Sequence, residues 1–293
     1  MRRTELPAPV RLYAPAKVNL SLEILRRRSD GFYELATLME SVSIFDIIDL
    51  APAGDLRVQH DTDINDEVDL VRRALERIEA ESGLKLGLNV SLRKQIPIAA
   101  GLGGGSSDAG TVIRAVGDLL GLAGDEQHRI AASLGSDVPF FLHCGVALAT
   151  GTGTDIKPLS TVGRRWYVIL VPDLAIPGKT AALYGRLTPD DFSDGSRTLR
   201  FVERLNTAGT VQPDLLGNSF TRPLLEYDEV RTAREELTHA GAAVVLPSGA
   251  GPAVYTVLDS YQEAKRIAQV LANSGRTPLL ATSVASNRSV FTE

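Results

Sequence analysis

One cysteine, Cys144, stands in 293 residues. No intrachain disulfide framework can form from it, and so low a count suits a reducing, cytoplasmic compartment. It follows the apolar Phe140-Phe141-Leu142, where a buried, unreactive thiol is expected. Histidine is scarce as well: four are scattered along the chain, and with a single cysteine they leave no spacing for a structural zinc. No apolar run reaches the roughly 18 residues of a membrane span. The opening MRRTELPAPV has basic residues without the apolar stretch of a signal peptide. Positive charge is not in excess. The formal net charge of -5 argues against a nucleic-acid partner or other non-specific polyanion binding, while allowing a local basic pocket. Internal repeats and low-complexity tracts are missing too. With 44% hydrophobic and 23% charged residues the composition is that of an ordinary globular protein, and the length suits two domains better than one small core. The expectation is a cytoplasmic protein with no membrane and no nucleic-acid partner, its oligomeric state open.

Residues 97–110, PIAAGLGGGSSDAG, are the most informative stretch. Four glycines (Gly101, Gly103, Gly104, Gly105) run into Ser106 and Ser107, and Val112, Ala115, Val116 and Leu119 then recur at the spacing of one buried helical face. A glycine-rich turn delivering the chain into a helix N-terminus presents free N–H groups at the positive end of the helix dipole. Glycine lets the backbone approach a phosphate without a Cβ in the way. The stretch reads as a nucleoside triphosphate cradle. It is not a Walker A loop, because no lysine follows the last glycine. It is not a dinucleotide fingerprint either: the third glycine of Gly-x-Gly-x-x-Gly is Ser106 in one register and Asp108 in the other. The plain alternative is a flexible loop capped by Ser106 or Ser107.

Around this stretch the chain alternates strand and helix signals. In 17–24, Val18, Leu20, Leu22 and Ile24 alternate with Lys17, Asn19, Ser21 and Glu23, which predicts a half-buried strand with Lys17 and Asn19 on its wet face. Ser29-Asp30-Gly31 is a turn, and 37–50 and 88–98 are further strands. Val71, Ala74, Leu75 and Ile78 mark a helix ending near Gly83, and a short helix at 125–134 ends at Gly135. Strands follow at 146–149 and 166–171, helices near 179–186, 197–206 and 226–240, and a hairpin-like segment at 242–258. A last helix carries Ala264, Ile267, Ala268 and Leu271 on one face, before a strand near 278–282. Composition places a boundary near 157–165. The mixed order predicts an α+β, two-domain architecture.

Three sites carry chemistry. Lys17 lies on the wet face of its strand, where a lysine is ordinarily just solvated. Asp137 enters the apolar run Val138-Pro139-Phe140-Phe141, so it must be paired or hydrogen-bonded if buried, or else close a turn on its own backbone. Pro247-Ser248-Gly249-Ala250-Gly251-Pro252 is a glycine turn between apolar segments, either a second N–H-presenting loop or a plain hairpin turn.

Taken in order, these stretches resemble the GHMP kinases. The family pattern P-x-x-x-G-L-G-S/G-S-S stands here as 97–107, and its C-terminal glycine motif as 248–252. One branch resembles the chain more closely, through Pro15-Ala-Lys-Val-Asn-Leu20, Arg28-Ser-Asp-Gly-Phe-Tyr33 with Thr37-Leu38, GLGGGSSDA, Gly135-Ser-Asp-Val-Pro-Phe-Phe141 and Asn218-Ser-Phe220. That branch transfers phosphate from ATP to the 2-hydroxyl of a cytidyl-linked methylerythritol in non-mevalonate isoprenoid precursor biosynthesis. The resemblance implies an N-terminal ATP-binding domain over 1–157, like domain 2 of ribosomal protein S5, and a ferredoxin-like α+β domain over 158–293. It implies Lys17 and Asp137 as the catalytic pair, Asp137 orienting the acceptor hydroxyl and Lys17 neutralising charge on the γ-phosphoryl. Lys94, Pro97, Ile98, Ala99, Ala100, Gly101, Leu102, Gly103, Gly104, Gly105, Ser106 and Ser107 would bind ATP, with Lys94 near the adenine. Mg²⁺ would accompany it, Ser107 being a candidate contact. Asn19, Phe32, Tyr33 and Tyr184 would meet the small-molecule substrate, Phe32 and Tyr184 sandwiching cytosine.

Three departures stand out: Tyr33 where the branch has histidine, Asp69-Leu70 where it has Asn-Leu, and Ala250 where serine is common. The first of them keeps open another GHMP kinase acting on an isoprenoid alcohol or a sugar. A nucleotide-binding protein without catalysis is the remaining alternative, against which the presence of both Lys17 and Asp137 counts.

Overall fold

A computed structural model describes residues 3–5, 8–62, 69–160, 163–208 and 211–285. In chain order the elements begin with β1 (Arg3–Glu5), β2 (Val10–Arg27), β3 (Tyr33–Pro52), β4 (Arg57–His60), α1 (Leu70–Ser82), β5 (Lys85–Arg93) and α2 (Gly104–Leu120). Then come α3 (Gly124–Leu134), α4 (Val138–Phe141), β6 (Val146–Thr150), β7 (Asp155–Leu159), β8 (Trp166–Leu170), α5 (Lys179–Tyr184) and α6 (Ser196–Ala208). The last are β9 (Gly217–Asn218), α7 (Thr221–Leu224), α8 (Asp228–His239), β10 (Leu246–Pro247), β11 (Val254–Leu258), α9 (Tyr261–Asn273) and β12 (Leu279–Thr282). Among the described residues no helix is long and apolar enough to cross a membrane.

The first sheet runs β1-β5-β3-β2-β9, with β4 also on β5, and β6 joining β3 and carrying β7. The second is a four-stranded antiparallel sheet, β10-β11-β8-β12. Helices and sheets are mixed without regular βαβ repetition, the α+β arrangement expected. β7 straddles the 157/158 division, and the second sheet begins at Trp166.

β2 and β3 form the spine, joined by a turn in which Gly31 has φ 87° and Asp30 Oδ1 accepts from Phe32 N at 3.1 Å. Their pairing shifts register at Pro15/Ala16, Asn19/Ser21 and Ile24/Arg26. Such bulges re-aim side chains, and β2 accordingly feeds three cores. Leu12 and Ala14 join α1, α2 and α3 in the first core. Ala16, Val18 and Leu20 meet Tyr167, Ile169, Phe201 and Tyr255 in a core shared by both sheets. Leu22 and Ile24 pack with Leu183, Leu224, Leu237 and Ile267. Each fully buried Leu, Ile or Phe stabilises by about 1.5–3 kcal/mol. β2 is therefore not half-wet as its alternation predicts. Residues 14–24 are all buried: the second sheet covers Ala16, Val18 and Leu20, α6 meets Ser21 and Glu23 through Thr198, and the glycine loop and the C-terminal glycine turn close over Lys17 and Asn19.

The expected helices form, with two differences. α1 buries Val71, Ala74, Leu75 and Ile78 as its pattern requires, is capped by Asp69 Oδ1 (2.9 Å from Val71 N, 3.2 Å from Arg72 N), and ends at left-handed Gly83. α2 buries Ala109, Val112, Ile113 and Val116, whereas Ala115 is only partly covered and Leu119 is 40% exposed. After its first turn opens on the cavity, the helix is buried on every side over 107–113, between α1 and α4, and emerges toward solvent by its last turn; only Gly117 stays covered there, under Gln127 of α3. The strand expected to reach residue 98 stops at Arg93, because Asp46 Oδ1 takes the amides of Gln95 (2.6 Å) and Ile96 (2.8 Å) away from any strand partner. The hairpin expected over 242–258 pairs only through Leu246 and Pro247 with Tyr255 and Val254. Cys144 is buried, its thiol donating to Phe141 O at 3.4 Å.

The two halves are tied by a sealed polar contact. The Arg165 guanidinium donates to both Glu40 oxygens from Nε (3.0 and 2.8 Å) and to Oε1 from Nη2 (2.5 Å), and the Tyr167 hydroxyl donates to Glu40 as well.

Candidate active site

A cavity of about 500 Å³ lies between the halves. Its floor is the glycine loop. Gly103, at φ 77°, stands at the N-terminus of α2, and the first intrahelical bond runs from Ser107 N to Gly103 O at 2.8 Å. The amides of Gly104, Gly105 and Ser106 precede that bond, so the helix does not claim them, and all three residues line the cavity. Close approach explains two of the glycines. A Cβ at Gly101 would lie 2.2 Å from Ser248 O, and one at Gly103 would lie 2.9 Å from Lys17 Cγ. The loop is thus rigidly packed against β2 and the C-terminal glycine turn, which excludes the flexible-loop reading. Ser107 is turned away: its buried hydroxyl donates to Pro15 O at 2.6 Å and pins α2 to β2.

Lys17 is 3% exposed, a consequence of the doubly covered strand that carries it. Its ammonium donates to Asn19 Oδ1 at 2.7 Å and lies 3.3 Å from Asp137 Oδ2. Asn19 is itself held in orientation, Nδ2 donating to Thr37 Oγ1 (2.9 Å), whose hydroxyl donates to Ser21 O (2.7 Å). Asp137 precedes α4, makes no side-chain cap bond, and keeps 38% of its side chain exposed. It does not close a turn on its own backbone. It faces the cavity with an ammonium on one side and an open carboxylate edge on the other.

The C-terminal glycine turn completes the wall around this pair. Ser248 Oγ donates to Gly101 O at 2.9 Å, with Lys17 O at 3.3 Å. Asn218 Nδ2 donates to Pro247 O and Gly249 O, each at 2.9 Å, and its Oδ1 accepts from Phe220 N at 2.8 Å. The turn is therefore no plain hairpin end; it is built into the cavity. Asn218 carries no hint of this role in local sequence beyond its place in a family-like motif. Lys179, from the first turn of α5, also enters the cavity and donates to Ala99 O and Gly251 O. Nothing in the sequence marks it.

Other expected residues divide. Pro97, Ile98, Ala99, Ala100, Leu102, Asn19 and Tyr184 line the cavity. Lys94 lines it too, but its ammonium is held by Asp46 and Asp108, beneath the loop. Burial, against the pull of Lys94, pushes the Asp108 carboxyl up to about 7. Asp69, where the resembling branch has asparagine, accepts two α1 amides and a contact from His60 at 2.8 Å. Phe32 is 65% exposed and lies outside the lining, as does Tyr33. Tyr33 stacks on Tyr184 with ring centroids 4.5 Å apart, and Phe220 meets Tyr184 edge-on at 5.0 Å. Burial first, then Asp137 and Tyr33, pushes the Tyr184 phenol up to about 12.

An anion cradle, a carboxylate with a free edge and an adjacent ammonium are the equipment for moving a phosphoryl group onto an alcohol, a reaction governed by positioning and charge. Residues 69–145 match the family described as GHMP kinases N terminal domain, and residues 210–277 match GHMP kinases C terminal. A 4-diphosphocytidyl-2-C-methyl-D-erythritol kinase of Dehalococcoides mccartyi is 36% identical over 278 residues, covering 93% of this chain and 98% of that protein. Its counterpart in Geobacter metallireducens is 37% identical over 270 residues, covering 90% and 94%. A crystal structure of 4-(cytidine 5'-diphospho)-2C-methyl-D-erythritol kinase is similar with a TM-score of 0.79 and 32% identity, covering 93% of this chain and 98% of that one. The chain belongs to the GHMP kinases, in the 4-diphosphocytidyl-2-C-methyl-D-erythritol kinase branch, and is an ATP-dependent small-molecule kinase.

Proposed function

We propose that the protein transfers the γ-phosphoryl group of ATP to the 2-hydroxyl of 4-diphosphocytidyl-2-C-methyl-D-erythritol, in the cytoplasm. The observation that carries this reading is the Lys17–Asp137 pair, 3.3 Å apart, set against the amides at the start of α2 in one cavity. In this reading the N-terminal half, 1–157, contributes the triphosphate cradle and both catalytic groups, and the C-terminal half, 158–293, closes over them. Asp137 receives or orients the acceptor proton, and Lys17 offsets charge developing on the transferred group. Asn19 positions the substrate beside Lys17. The amides of Gly104, Gly105 and Ser106 hold phosphate oxygens. Cytosine is taken up between Phe32 and the Tyr33–Tyr184 stack, burying the exposed Phe32 ring.

Mg²⁺ is expected with ATP. The residues present do not form a site for it: among the described residues no three His, Cys, Asp or Glu side chains converge, and the Ser107 hydroxyl is committed to Pro15 O. The cation would be held by the nucleotide's own phosphates.

The test is ADP release by the protein and its Asp137→Ala variant, supplied with Mg-ATP and the cytidyl substrate, then with methylerythritol phosphate lacking the cytidyl group. Turnover confined to the cytidyl substrate and lost in the variant is expected. No turnover on the cytidyl substrate, from folded protein that binds ATP, would sink the assignment of acceptor.

A further inference from the structure

Lys179 stands where three segments meet. It opens α5, and its ammonium donates to Ala99 O in the loop before Gly101 and to Gly251 O in the C-terminal glycine turn. Those two segments already touch: Ala253 N donates to Ala100 O at 3.0 Å, and Ser248 Oγ to Gly101 O at 2.9 Å. Ala99 has φ 56°, a left-handed conformation that a residue with a Cβ keeps only when its surroundings hold it. The bond from Lys179 to its carbonyl is part of that hold. Few charges face the ammonium. Lys17 comes from β2 and Asp137 from the turn ahead of α4, while the two loops bring only backbone carbonyls; the Tyr184 phenol of α5 lines the same cavity. Lys17 is paired with Asp137, and among the described residues no carboxylate pairs with Lys179. Of the three described lysines lining the cavity, it is the one without a paired carboxylate.

We propose that Lys179 is a positioning residue for phosphoryl transfer: it ties the phosphate cradle to the C-terminal glycine turn and, by its charge, sets the affinity for the triphosphate. The proposal rests on the kinase reading for the identity of the nucleotide, and not on the acceptor. Burial first, then repulsion from Lys17, pushes the Lys179 ammonium down to about 8. The nucleotide-free protein therefore loses this charge as pH rises through that value. A bound polyanion favours the charged form, so binding takes up a proton on the alkaline side and weakens with rising pH.

The experiment is calorimetric titration with Mg-ATP, without any acceptor alcohol, from about pH 6 to about pH 10. It is run on the protein, on Lys179→Arg, which keeps the charge throughout, and on Lys179→Met, which lacks it. The unmodified protein is expected to lose affinity about tenfold between about pH 7 and about pH 9. Lys179→Arg should abolish that fall. Lys179→Met should bind about tenfold more weakly near pH 7 and show no fall. The same alkaline fall in Lys179→Arg would overturn the proposal, as would unchanged affinity in Lys179→Met near pH 7, or no ATP binding by the unmodified protein. If melting curves show that Lys179→Met does not fold, Lys179→Arg decides alone. Failure to phosphorylate the cytidyl substrate would overturn the acceptor reading and leave this binding result standing.

Discussion

The Glu40–Arg165 and Lys17–Asp137 pairs each join a long strand of the first sheet to a later segment, and they differ in what surrounds them. Both members of the first are 1% exposed, and Glu40 is saturated by the guanidinium fork and the Tyr167 hydroxyl. In the second, the lysine is sealed while the carboxylate keeps 38% of its surface. A sealed and satisfied pair has no capacity left for a ligand and acts as part of the frame. A pair with one open edge holds its geometry and still accepts a hydroxyl. The Lys94 cluster with Asp46 and Asp108 stands between the two: Lys94 and Asp108 border the cavity, but Lys94 is held by both carboxylates and Asp46 also takes two loop amides, while Asp108 Oδ1 stays buried without a partner.

Substitutions test this contrast, beginning with the largest effect. Asp137→Asn should lower kcat by about 10²–10⁴-fold, with a smaller fall in melting temperature than Arg165→Met, because Lys17 keeps Asn19 as a partner; steady-state kinetics beside a thermal melt would check both. Arg165→Met should do the reverse. It leaves Glu40 buried without its cation, at a cost of about 3–5 kcal/mol in urea unfolding, while molecules still folded at low temperature turn over near the normal rate. If Arg165→Met removed activity without destabilising, the division between frame and site would be wrong.

Gly101→Ala comes next. Its Cβ would meet Ser248 O at 2.2 Å from a backbone at φ 88°, so about 1–3 kcal/mol of stability and most ATP affinity should be lost together. Asp108→Asn probes the intermediate cluster. The Asp108 carboxyl stands at about 7 in the folded protein against 3.8 ordinarily. The folded state therefore holds the extra proton, and this group's contribution is fully present below the unfolded value and is lost as pH rises through about 7. Relative to Asp108→Asn, the unmodified protein should lose melting temperature across that window; parallel curves would count against the cluster's description. Least of all, Arg231→Ala breaks an exposed contact to Asp228 and should change stability by about 0.5 kcal/mol or less.

Much of this was legible in the chain. The glycine turn at 101–105 and the helix it opens follow from glycines and short-range periodicity, and α1 was readable in its buried face and its Gly83 stop, though not in its Asp69 cap. The doubly buried β2 was not legible. Alternation reports only that two faces differ, and a polar residue reads the same whether water covers it or, as here, two glycine loops and α6 do. Leu119 misled for a similar reason: helical spacing names a candidate face, and packing between α1 and α4 chose another.

By itself, then, the sequence determined the α+β architecture and the glycine turn that opens a helix, because turn chemistry and helix periodicity act over a few residues; Lys17 and Asp137 stood out only through the motifs the chain shares with the GHMP kinases. Only the tertiary structure decided that Lys17 is buried, that it meets Asp137, that Lys94 is spent on two carboxylates and that Lys179 spans two loops. Charged groups far apart along the chain choose partners by the burial and backbone geometry around them, and neither exists until the sheets have packed.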